Sequence, residues 1–322
     1  MIQLEQVSKS YKNVKAVDDI SLDIREGETV VLLGTSGCGK TTTLRMVNRL
    51  TDATAGSIKV NGTDIKNQSP EQLRRGIGYV LQHHGLFPHY TVAENIAIVP
   101  QLLKWDKTKI ASRISELLEK LRLPANIAGM FPASLSGGQQ QRVGLARALA
   151  ADPPVLLMDE PFGALDTVTR SQVRKEFGTL DELKRKTILM VTHDVREAIE
   201  LGDLICVMDK GKIVQAGAAK ELLFSPVNDF VSSFLQEDRL RFELETTSIK
   251  DVWQFLPPLT HSTEGIELPI DEDLWRTIEL MSLQSLQPNT QYVSILNAET
   301  KVIDTASLMA AFSQSKNSYI NG

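Results

Sequence analysis

The chain has 322 residues, of which 42% are hydrophobic and 23% are charged, and its formal net charge is −5. These proportions are typical of a folded protein with a sizeable core, and they exclude a disordered chain. Residues after His261 include eight acidic but only three basic residues, so residues 1–261 are formally neutral. A nucleic-acid-binding protein needs a basic surface, so we expect no nucleic-acid partner.

The cysteines and the apolar segments limit the cellular setting of the protein. Cys38 and Cys206 are too few and too far apart for a disulfide framework or a zinc site. The longest apolar runs have the length of strands, and the first residues contain no apolar core of a signal peptide. We therefore expect a reduced cytoplasmic protein that does not itself cross a membrane.

The periodicity of apolar residues predicts an α/β fold. The first sixty residues alternate in the manner of strands, which predicts an N-terminal antiparallel β subdomain. The stretches VLLM, TILMV and LICVM alternate with helices later in the chain, which predicts a mostly parallel sheet covered by helices. Residues from about 83 to 151 are helical in character and form an insertion into this core.

A smaller second domain is expected after the charged, helix-prone stretch DFVSSFLQEDRLRFELE. We place the limit after residue 238, which divides the chain into residues 1–238 and 239–322. The second part has the pattern of a strand, a helix, two strands and a final helix, at residues 267–270, 273–283, 292–296, 302–303 and 306–312.

The glycine-rich stretch GTSGCGKT follows a buried strand and opens a helix. In that context it predicts a P-loop, because glycines let backbone amides face a phosphate and a helix N-terminus favours an anion. Lys40 is placed to reach the β- and γ-phosphates, and the Thr41 hydroxyl is placed to bind Mg²⁺. The predicted nucleotide-binding residues of this stretch are Gly34, Thr35, Ser36, Gly37, Cys38, Gly39, Lys40, Thr41 and Thr42.

Two acidic residues end the strand-like stretch VLLMDE. Asp159 is predicted to hold Mg²⁺. Glu160 is the predicted general base, because a water attacking the γ-phosphate needs an acceptor for its proton. The alternative is a pair of solvated acids on a surface turn, and the buried strand before them and Pro161 after them argue against it.

Three further residues are candidates by position. His193 follows the strand TILMV, at the edge where α/β sheets bind ligands, and is predicted to contact the γ-phosphate as a catalytic residue. Gln82 follows the strand GIGYV and is placed to contact Mg²⁺ or the attacking water. Tyr11 is a candidate to stack on adenine. The alternatives are a packing histidine, an incidental glutamine and a surface tyrosine.

A second glycine-rich stretch, LSGGQQQR, opens the helix VGLARALAADP. Its Ser136, Gly137, Gly138 and Gln139 form a second predicted anion site at a helix N-terminus. Within one chain the insertion would have to fold back across the P-loop to reach the same ATP. In a head-to-tail pair, Ser136 of one copy covers the γ-phosphate held by Lys40 of the other. We therefore predict a homodimer.

Taken in this order, these motifs resemble the P-loop, Q-loop, LSGGQ signature, Walker B strand and switch histidine of ABC transporter ATP-binding subunits. The resemblance covers about residues 1–238 and implies a RecA-like ATPase core that binds ATP and Mg²⁺. It also implies a two-subunit sandwich that closes on ATP binding and opens on hydrolysis, while the helical insertion pushes on a membrane partner. Asp166 corresponds to the D-loop, which communicates across the dimer.

A narrower resemblance rests on VLQHHGLFPHYTVAENIAIVP and LLFSPVNDFVSSFLQEDR, which are similar to ATPases of bacterial importers for glycine betaine, choline, carnitine or proline betaine. It implies permease subunits and a solute-binding protein as partners, and a peripheral position on the inner face of the cell membrane. The end of the chain resembles a single CBS module, whereas relatives carry a pair that senses ionic strength or a nucleotide. A role of this tail in dimerisation or packing stays open beside a regulatory one.

The alternatives to a quaternary-amine importer are an ABC ATPase for another small solute, a non-transport ABC ATPase, a monomeric P-loop kinase and a scaffold without hydrolysis. Lys40 and Ser136 are 96 positions apart without a heptad run, and the chain has no second ATPase unit. This organisation argues against the repair and ribosomal ABC proteins. A kinase leaves LSGGQ without a use, and a scaffold leaves the complete set of motifs unexplained.

Overall fold

The structure is a computed structural model that describes residues 1–82, 85–258, 266–284, 292–296 and 299–321. The chain divides into two compact units, Met1–Ala216 and Gly217–Gly322. His83 and His84, where the predicted helical insertion begins and which belong to one of the importer-like stretches, lie outside the described residues.

The first unit contains ten strands, counted within the residues that the structure describes. They are β1 (Ile2–Tyr11), β2 (Val14–Ile24), β3 (Thr29–Gly34), β4 (Ala55–Val60), β5 (Thr63–Asp64), β6 (Ile77–Val80), β7 (Val155–Asp159), β8 (Thr187–Thr192), β9 (Leu204–Asp209) and β10 (Lys212–Gly217). Its helices are α1 (Lys40–Val47), α2 (Pro70–Arg75), α3 (Val92–Leu102), α4 (Lys107–Lys120), α5 (Gly137–Leu149), α6 (Thr167–Gly178) and α7 (Val195–Leu201). Short 3₁₀ helices span Ile65–Asn67, Ala125–Gly129 and Pro132–Ser134.

The central sheet has the strand order β10-β9-β3-β8-β7-β6. The adjacent pairs β9–β3, β3–β8, β8–β7 and β7–β6 are all parallel. Every residue of β7 and β8 is buried. Strands covered on both faces need apolar side chains on both, which explains why they appear as continuous apolar runs in the sequence. The predicted α/β core with a mostly parallel sheet is confirmed.

A second sheet, with the order β2-β1-β4-β5, forms the predicted N-terminal antiparallel subdomain. In β1 the side chains of Ile2, Leu4 and Val7 are buried, while Glu5 and Gln6 between them are exposed. This pattern follows from a strand that packs one face on the core. A bulge after Leu4 accommodates the extra residue before Val7.

The helical insertion consists of α3, α4 and α5, which pack on one another. Thr91 begins α3 with a capping box, in which its hydroxyl accepts from the amide of Glu94 and the Glu94 carboxylate accepts from the amide of Thr91. Helix α5 also packs on β6 of the central sheet. The helix that opens at the signature stretch therefore belongs to both the insertion and the core.

The second unit contains α8 (Ala219–Phe224), α9 (Asp229–Phe234), α10 (Arg239–Glu245), a 3₁₀ helix at Lys250–Phe255, β11 (Ile266–Glu267), α11 (Leu274–Gln284), β12 (Tyr292–Leu296), β13 (Glu299–Ile303) and α12 (Thr305–Asn321). Strand β12 pairs in parallel with β11 and antiparallel with β13. The predicted order of strand, helix, two strands and helix is observed.

Two predicted limits differ from the structure. The compact unit begins at Gly217 and not at residue 239, because α8 packs on α10 and α12. The guanidinium of Arg239 donates to the Leu223 carbonyl at 2.5 Å, which ties α10 to α8. The strand predicted at 267–270 ends at Glu267, because Pro269 lacks an amide hydrogen for further pairing.

Candidate functional site

The candidate site lies at the edge of the central sheet where β3, β7 and β8 end. The parallel register pairs Leu33 with Thr192 and Asp159 with Val191, so the carboxyl ends of these strands lie side by side. The predicted motif residues come directly after these ends. Residues that are far apart in the sequence are thereby brought to one edge, where α/β sheets bind ligands.

The P-loop connects β3 to α1. Residues 34–39 form the turn, and residues 40–42 open the helix. The backbone is left-handed at Gly37 (φ 81°) and Gly39 (φ 108°), a conformation that favours glycine. A Cβ at Gly39 would lie 2.4 Å from the Ala16 carbonyl oxygen, so only glycine fits there. Thr35 to Gly37 are exposed, whereas Cys38 is buried, and burial raises the pKa of its thiol.

The Lys40 side chain is only 5% exposed. Its Nζ donates to the carbonyl oxygens of Gly34 at 2.8 Å and Thr35 at 2.9 Å. The backbone of its own loop thus holds the lysine ammonium close to the loop amides. This arrangement suits an anion that replaces one or both carbonyls as a partner.

Asp159, the last residue of β7, meets the start of α1. Its Oδ1 accepts a hydrogen bond of 2.8 Å from the Thr41 hydroxyl. Burial raises the pKa of Asp159, and the Thr41 bond and the positive charge of Arg45 oppose that shift. A hydroxyl and a carboxylate on adjacent elements are oxygen ligands of the kind that Mg²⁺ prefers. The chemistry of this pair therefore fits the predicted metal role.

Glu160 is in contact with both other candidates. Its Oε2 accepts from Gln82 Nε2 at 2.8 Å, and its Oε1 lies 3.3 Å from Nδ1 of His193. The structure therefore brings together three residues that lie at positions 82, 160 and 193 of the sequence. The Glu160 side chain is 18% exposed, while that of His193 is 53% exposed. The carboxylate is thus held on two sides and still reaches solvent.

The backbone of Glu160 is left-handed, with φ 46°. Few non-glycine residues adopt this conformation, and such residues concentrate at functional sites. The Glu160 amide donates to the Val191 carbonyl at 2.9 Å, and the Gly163 amide donates to the Glu160 carbonyl at 3.1 Å. These bonds fix a sharp turn at the end of β7, which directs the side chain toward Gln82 and His193.

Arg45 and Tyr79 also belong to the surroundings of Asp159, and the sequence analysis missed both. Burial, with the negative charge of Asp159 adding to it, raises the pKa of Tyr79 to about 12, and the charge of Arg45 opposes this shift as it opposes the raised pKa of Asp159. Arg45 follows Thr41 by one helical turn, so the two share one face of α1. That spacing was a signal that could have found Arg45.

The signature residues open α5. Ser136 is its N-cap and forms a capping box: its hydroxyl accepts from the Gln139 amide at 3.3 Å, and its amide donates to Gln139 Oε1 at 2.9 Å. Ser136 and Gly137 are exposed. Gly138 is buried, and a Cβ there would lie 2.9 Å from Cγ2 of Thr169 on α6. Packing against α6 therefore favours glycine at this position.

The structure does not bring the signature residues to the P-loop. Within the described part of the chain, no hydrogen bond or ion pair joins Ser136 or Gln139 to the P-loop residues. Tyr11 ends β1 and is 48% exposed, with the ammonium of Lys9 4.9 Å from its ring centre. Asp166 is the exposed N-cap of α6, and its hydrogen bonds with Thr169 lower the pKa of its carboxyl.

The chain is similar to several known proteins. The family model described as "ABC transporter" matches residues 17–163. The glycine betaine/carnitine/choline transport ATP-binding protein OpuCA of Bacillus subtilis is 51% identical over 241 residues, which are 74% of this chain and 63% of that protein. The osmoprotectant import ATP-binding protein OsmV of Salmonella typhimurium is 47% identical, over 81% of this chain and 70% of that protein.

A solved structure is similar to about two thirds of the chain. It is described as the dimeric, post-hydrolysis state of the ATP-binding cassette MJ0796 bound to ADP and Pi. The identity is 33% and the TM-score 0.61, with 68% of this chain and 98% of that chain covered. The remaining third of the chain has no counterpart in that structure.

Proposed function

The chain belongs to the family of ABC transporter ATP-binding subunits, and from this premise we propose that it hydrolyses ATP to drive an importer of osmoprotectants such as glycine betaine, choline or carnitine. One observation carries the proposal most directly. Glu160 contacts both Gln82 and His193, next to the Thr41–Asp159 pair at the P-loop. Within one chain, the groups that would bind the triphosphate and Mg²⁺ and the group that would activate the water thus lie at one sheet edge, and the signature residues would come from the partner copy.

The residues of the P-loop would bind the triphosphate. The amides of Thr35 to Gly39 and the N-terminus of α1 attract anions, and Lys40 would exchange its carbonyl partners for phosphate oxygens. Thr41, Asp159 and Gln82 would supply oxygen ligands to Mg²⁺. When bound, that ion neutralises the charge that develops on the phosphates. Tyr11 would stack on the adenine ring.

Glu160 would act as the general base. Its carboxylate would take the proton of the attacking water, while the Gln82 amide holds one of its oxygens and His193 lies at the other. The left-handed turn keeps the carboxylate in place before the substrate binds. A base that is already oriented does not have to be ordered in the transition state.

The functional form would be a head-to-tail homodimer. Ser136 and the amides of Gly137 and Gly138 open a helix of 13 residues and form an anion site, and Ser136 and Gly137 are exposed. In such a dimer the signature of each copy covers the triphosphate bound by the other, with Asp166 near the shared surface. The dimeric state given for the similar solved structure supports this arrangement.

The transport role and its partners follow from the relatives. OpuCA is a glycine betaine/carnitine/choline transport protein and OsmV an osmoprotectant import protein, and this supports the same class of solute here. The partners would be integral-membrane permease subunits and a solute-binding protein, with this subunit on the inner face of the cell membrane. None of the helices that the structure describes has both the length and the apolar character to cross a bilayer.

The variant Glu160→Gln tests the enzymatic part. We expect ATP binding to stay within about threefold of the parent, a stable dimer in ATP, and hydrolysis at least about 100-fold slower. Glu26→Gln is the matched control, because Glu26 is an exposed glutamate before the start of β3, at the end opposite to the P-loop. This variant should leave ATP binding, dimer stability and hydrolysis unchanged. Hydrolysis by Glu160→Gln near the parental rate would show that Glu160 is not the base.

Uptake of labelled solutes tests the transport part. Cells that lack the gene should regain uptake of glycine betaine, choline or carnitine with the parent but not with Glu160→Gln. Sulfate uptake is the control and should not change when the parent or Glu160→Gln is supplied. An active ATPase that restores uptake of none of the three amines would overturn the choice of solute and leave the hydrolytic proposal intact.

A further inference from the structure

The switch histidine lies in a turn that is closed by side chains on both sides of it. Thr192 is the last residue of β8, and Asp194 is the N-cap of α7. The Thr192 Oγ1 accepts a hydrogen bond of 3.0 Å from the Asp194 amide. The residues before and after His193 are thus joined directly, so the position of the imidazole depends on the Thr192 hydroxyl.

Glu197 determines which way that hydroxyl points. Its carboxyl is 2% exposed, and Oε2 accepts from Thr192 Oγ1 at 2.5 Å. A hydroxyl has one proton, so Oγ1 offers a lone pair to the Asp194 amide when its own proton is directed elsewhere. Glu197 is the acceptor that takes this proton. The chain Glu197–Thr192–Asp194 therefore sets the backbone on both sides of His193.

We propose that Glu197 is a positioning residue for ATP hydrolysis, which acts through the Thr192 hydroxyl to hold the His193 imidazole beside Glu160. This inference rests on the proposed ATPase activity. It adds a residue that contacts neither the P-loop nor Glu160 through any described hydrogen bond. Its only described connection to the site passes through the turn that carries His193.

The surroundings of Glu197 support a specific role. Burial, with the negative charge of Asp194 adding to it, raises the pKa of this carboxyl to about 7, while the Thr192 bond and the cations Arg170 and Arg174 on α6 oppose the shift. A carboxyl buried in this way costs folding free energy. An apolar residue at the same place would avoid that cost but would leave the Thr192 proton without an acceptor.

The test compares Glu197→Ala, Glu197→Gln and Thr192→Val with the full-length parent. The chain has five histidines, so the ¹⁵N-histidine NMR spectrum is simple, and His193→Ala identifies the His193 signals. We expect Glu197→Ala and Thr192→Val to change the shifts and titration midpoint of the His193 imidazole. Both should lower kcat about tenfold while leaving ATP affinity within about twofold. Glu197→Gln keeps an acceptor oxygen and should retain the parental spectrum.

Glu200→Ala is the matched control. Glu200 lies one turn later on α7 and pairs with Arg174, so this variant weakens the packing of the same helix without touching Thr192. It should leave the His193 signals and kcat unchanged. An unaltered His193 titration in both Glu197→Ala and Thr192→Val, or an equal change in Glu200→Ala, would overturn the proposal. The spectrum needs no turnover, so a parent without ATPase activity would refute the proposed function separately.

Discussion

The two glycine-rich helix starts of the chain differ in what holds their polar side chains. At the P-loop, Thr41 donates a hydrogen bond to Asp159 of β7, and the neighbouring Glu160 accepts one from Gln82 and lies 3.3 Å from His193. At the signature, the Ser136 hydroxyl and the Gln139 side chain are bonded to each other's amides within one helical turn. The polar side chains at the P-loop contact residues on other elements of the sheet edge. The two signature side chains bond only to each other's backbone amides.

In the proposed head-to-tail dimer, this difference reflects the division of each site between two chains. A polar group that works within its own chain is fixed by residues distant in sequence, because the fold brings them to it. A group that works on another chain has to be ordered locally and remain exposed until the partner arrives. The capping box at Ser136 does this, since it fixes the turn and leaves the helix N-terminus open to an anion.

The largest effect is expected from Lys40→Ala. Loss of this buried cation should weaken ATP binding at least about 100-fold, because a charge-assisted bond to phosphate is lost in a poorly solvated place. Lys66→Ala removes an exposed lysine from the same unit and should change the affinity less than about twofold. Fluorescent nucleotide titration measures both. Equal affinities for Lys40→Ala and the parent would mean that the P-loop does not bind the triphosphate.

Mixed dimers test the division between chains. They combine Lys40→Ala and Ser136→Glu in a Glu160→Gln background that traps ATP. With both changes in one subunit, opposite a subunit with neither, the head-to-tail arrangement damages both sites and should trap no ATP. With one change in each subunit, both fall in the same site, and one site should remain able to trap ATP. Trapped nucleotide per dimer is the measurement, and the reverse result would show that each site is built from a single chain.

Much of the contrast between the two helix starts could be predicted from the sequence. GTSGCGKT, LSGGQ and VLLMDE each carry their structural context in a few residues, so the strand and helix around the P-loop, the helix after LSGGQ and the parallel sheet were predicted and are confirmed. The end of each buried strand was also predicted. Because parallel strands align their carboxyl ends, this was enough to expect Asp159, Glu160 and His193 at one edge.

What the sequence did not predict depends on tertiary contacts. The beginning of the second unit at Gly217 follows from packing of α8 on α10 and α12, and no local signal at residue 217 indicates it. The bonds of Lys40 to its own loop, the left-handed backbone of Glu160 and the contact of Glu197 with Thr192 are likewise set by neighbours in space. The spacing of polar residues in the sequence does not by itself reveal such partners.

The sheet edge also contains buried acids, and the pH dependence of stability tests this. The pKa of Glu197 is raised from 4.5 to about 7, so its unfavourable contribution is absent below about pH 4.5 and complete above about pH 7. Glu197→Gln should therefore raise the free energy of unfolding at pH 8, by on the order of 1–3 kcal/mol, and the gain should shrink toward pH 4.5. Urea unfolding at several pH values measures this. A difference that is independent of pH would contradict the burial argument.

The smallest effects should have opposite signs at the two helix starts. Asp159→Asn keeps an oxygen that can accept from Thr41 and removes a buried carboxyl whose pKa is raised, so it should stabilise the ligand-free protein at pH 8. Ser136→Ala removes half of a capping box and should destabilise it by about 1 kcal/mol. Urea unfolding at pH 8 measures both, and Thr63→Ala, at an exposed residue of β5, serves as the control.

Added MgATP should then stabilise both variants less than it stabilises the parent. Ligand binding stabilises only a protein that can bind, so the parent should gain stability, while Asp159→Asn should gain little because the carboxylate proposed to bind Mg²⁺ is missing. The buried carboxyl of Asp159 thus lowers the stability of the ligand-free protein as a consequence of its proposed role in binding Mg²⁺. If Asp159→Asn destabilised the ligand-free protein as Ser136→Ala does, the Thr41–Asp159 pair would be a structural bond like the capping box, and the contrast between the two helix starts would not hold.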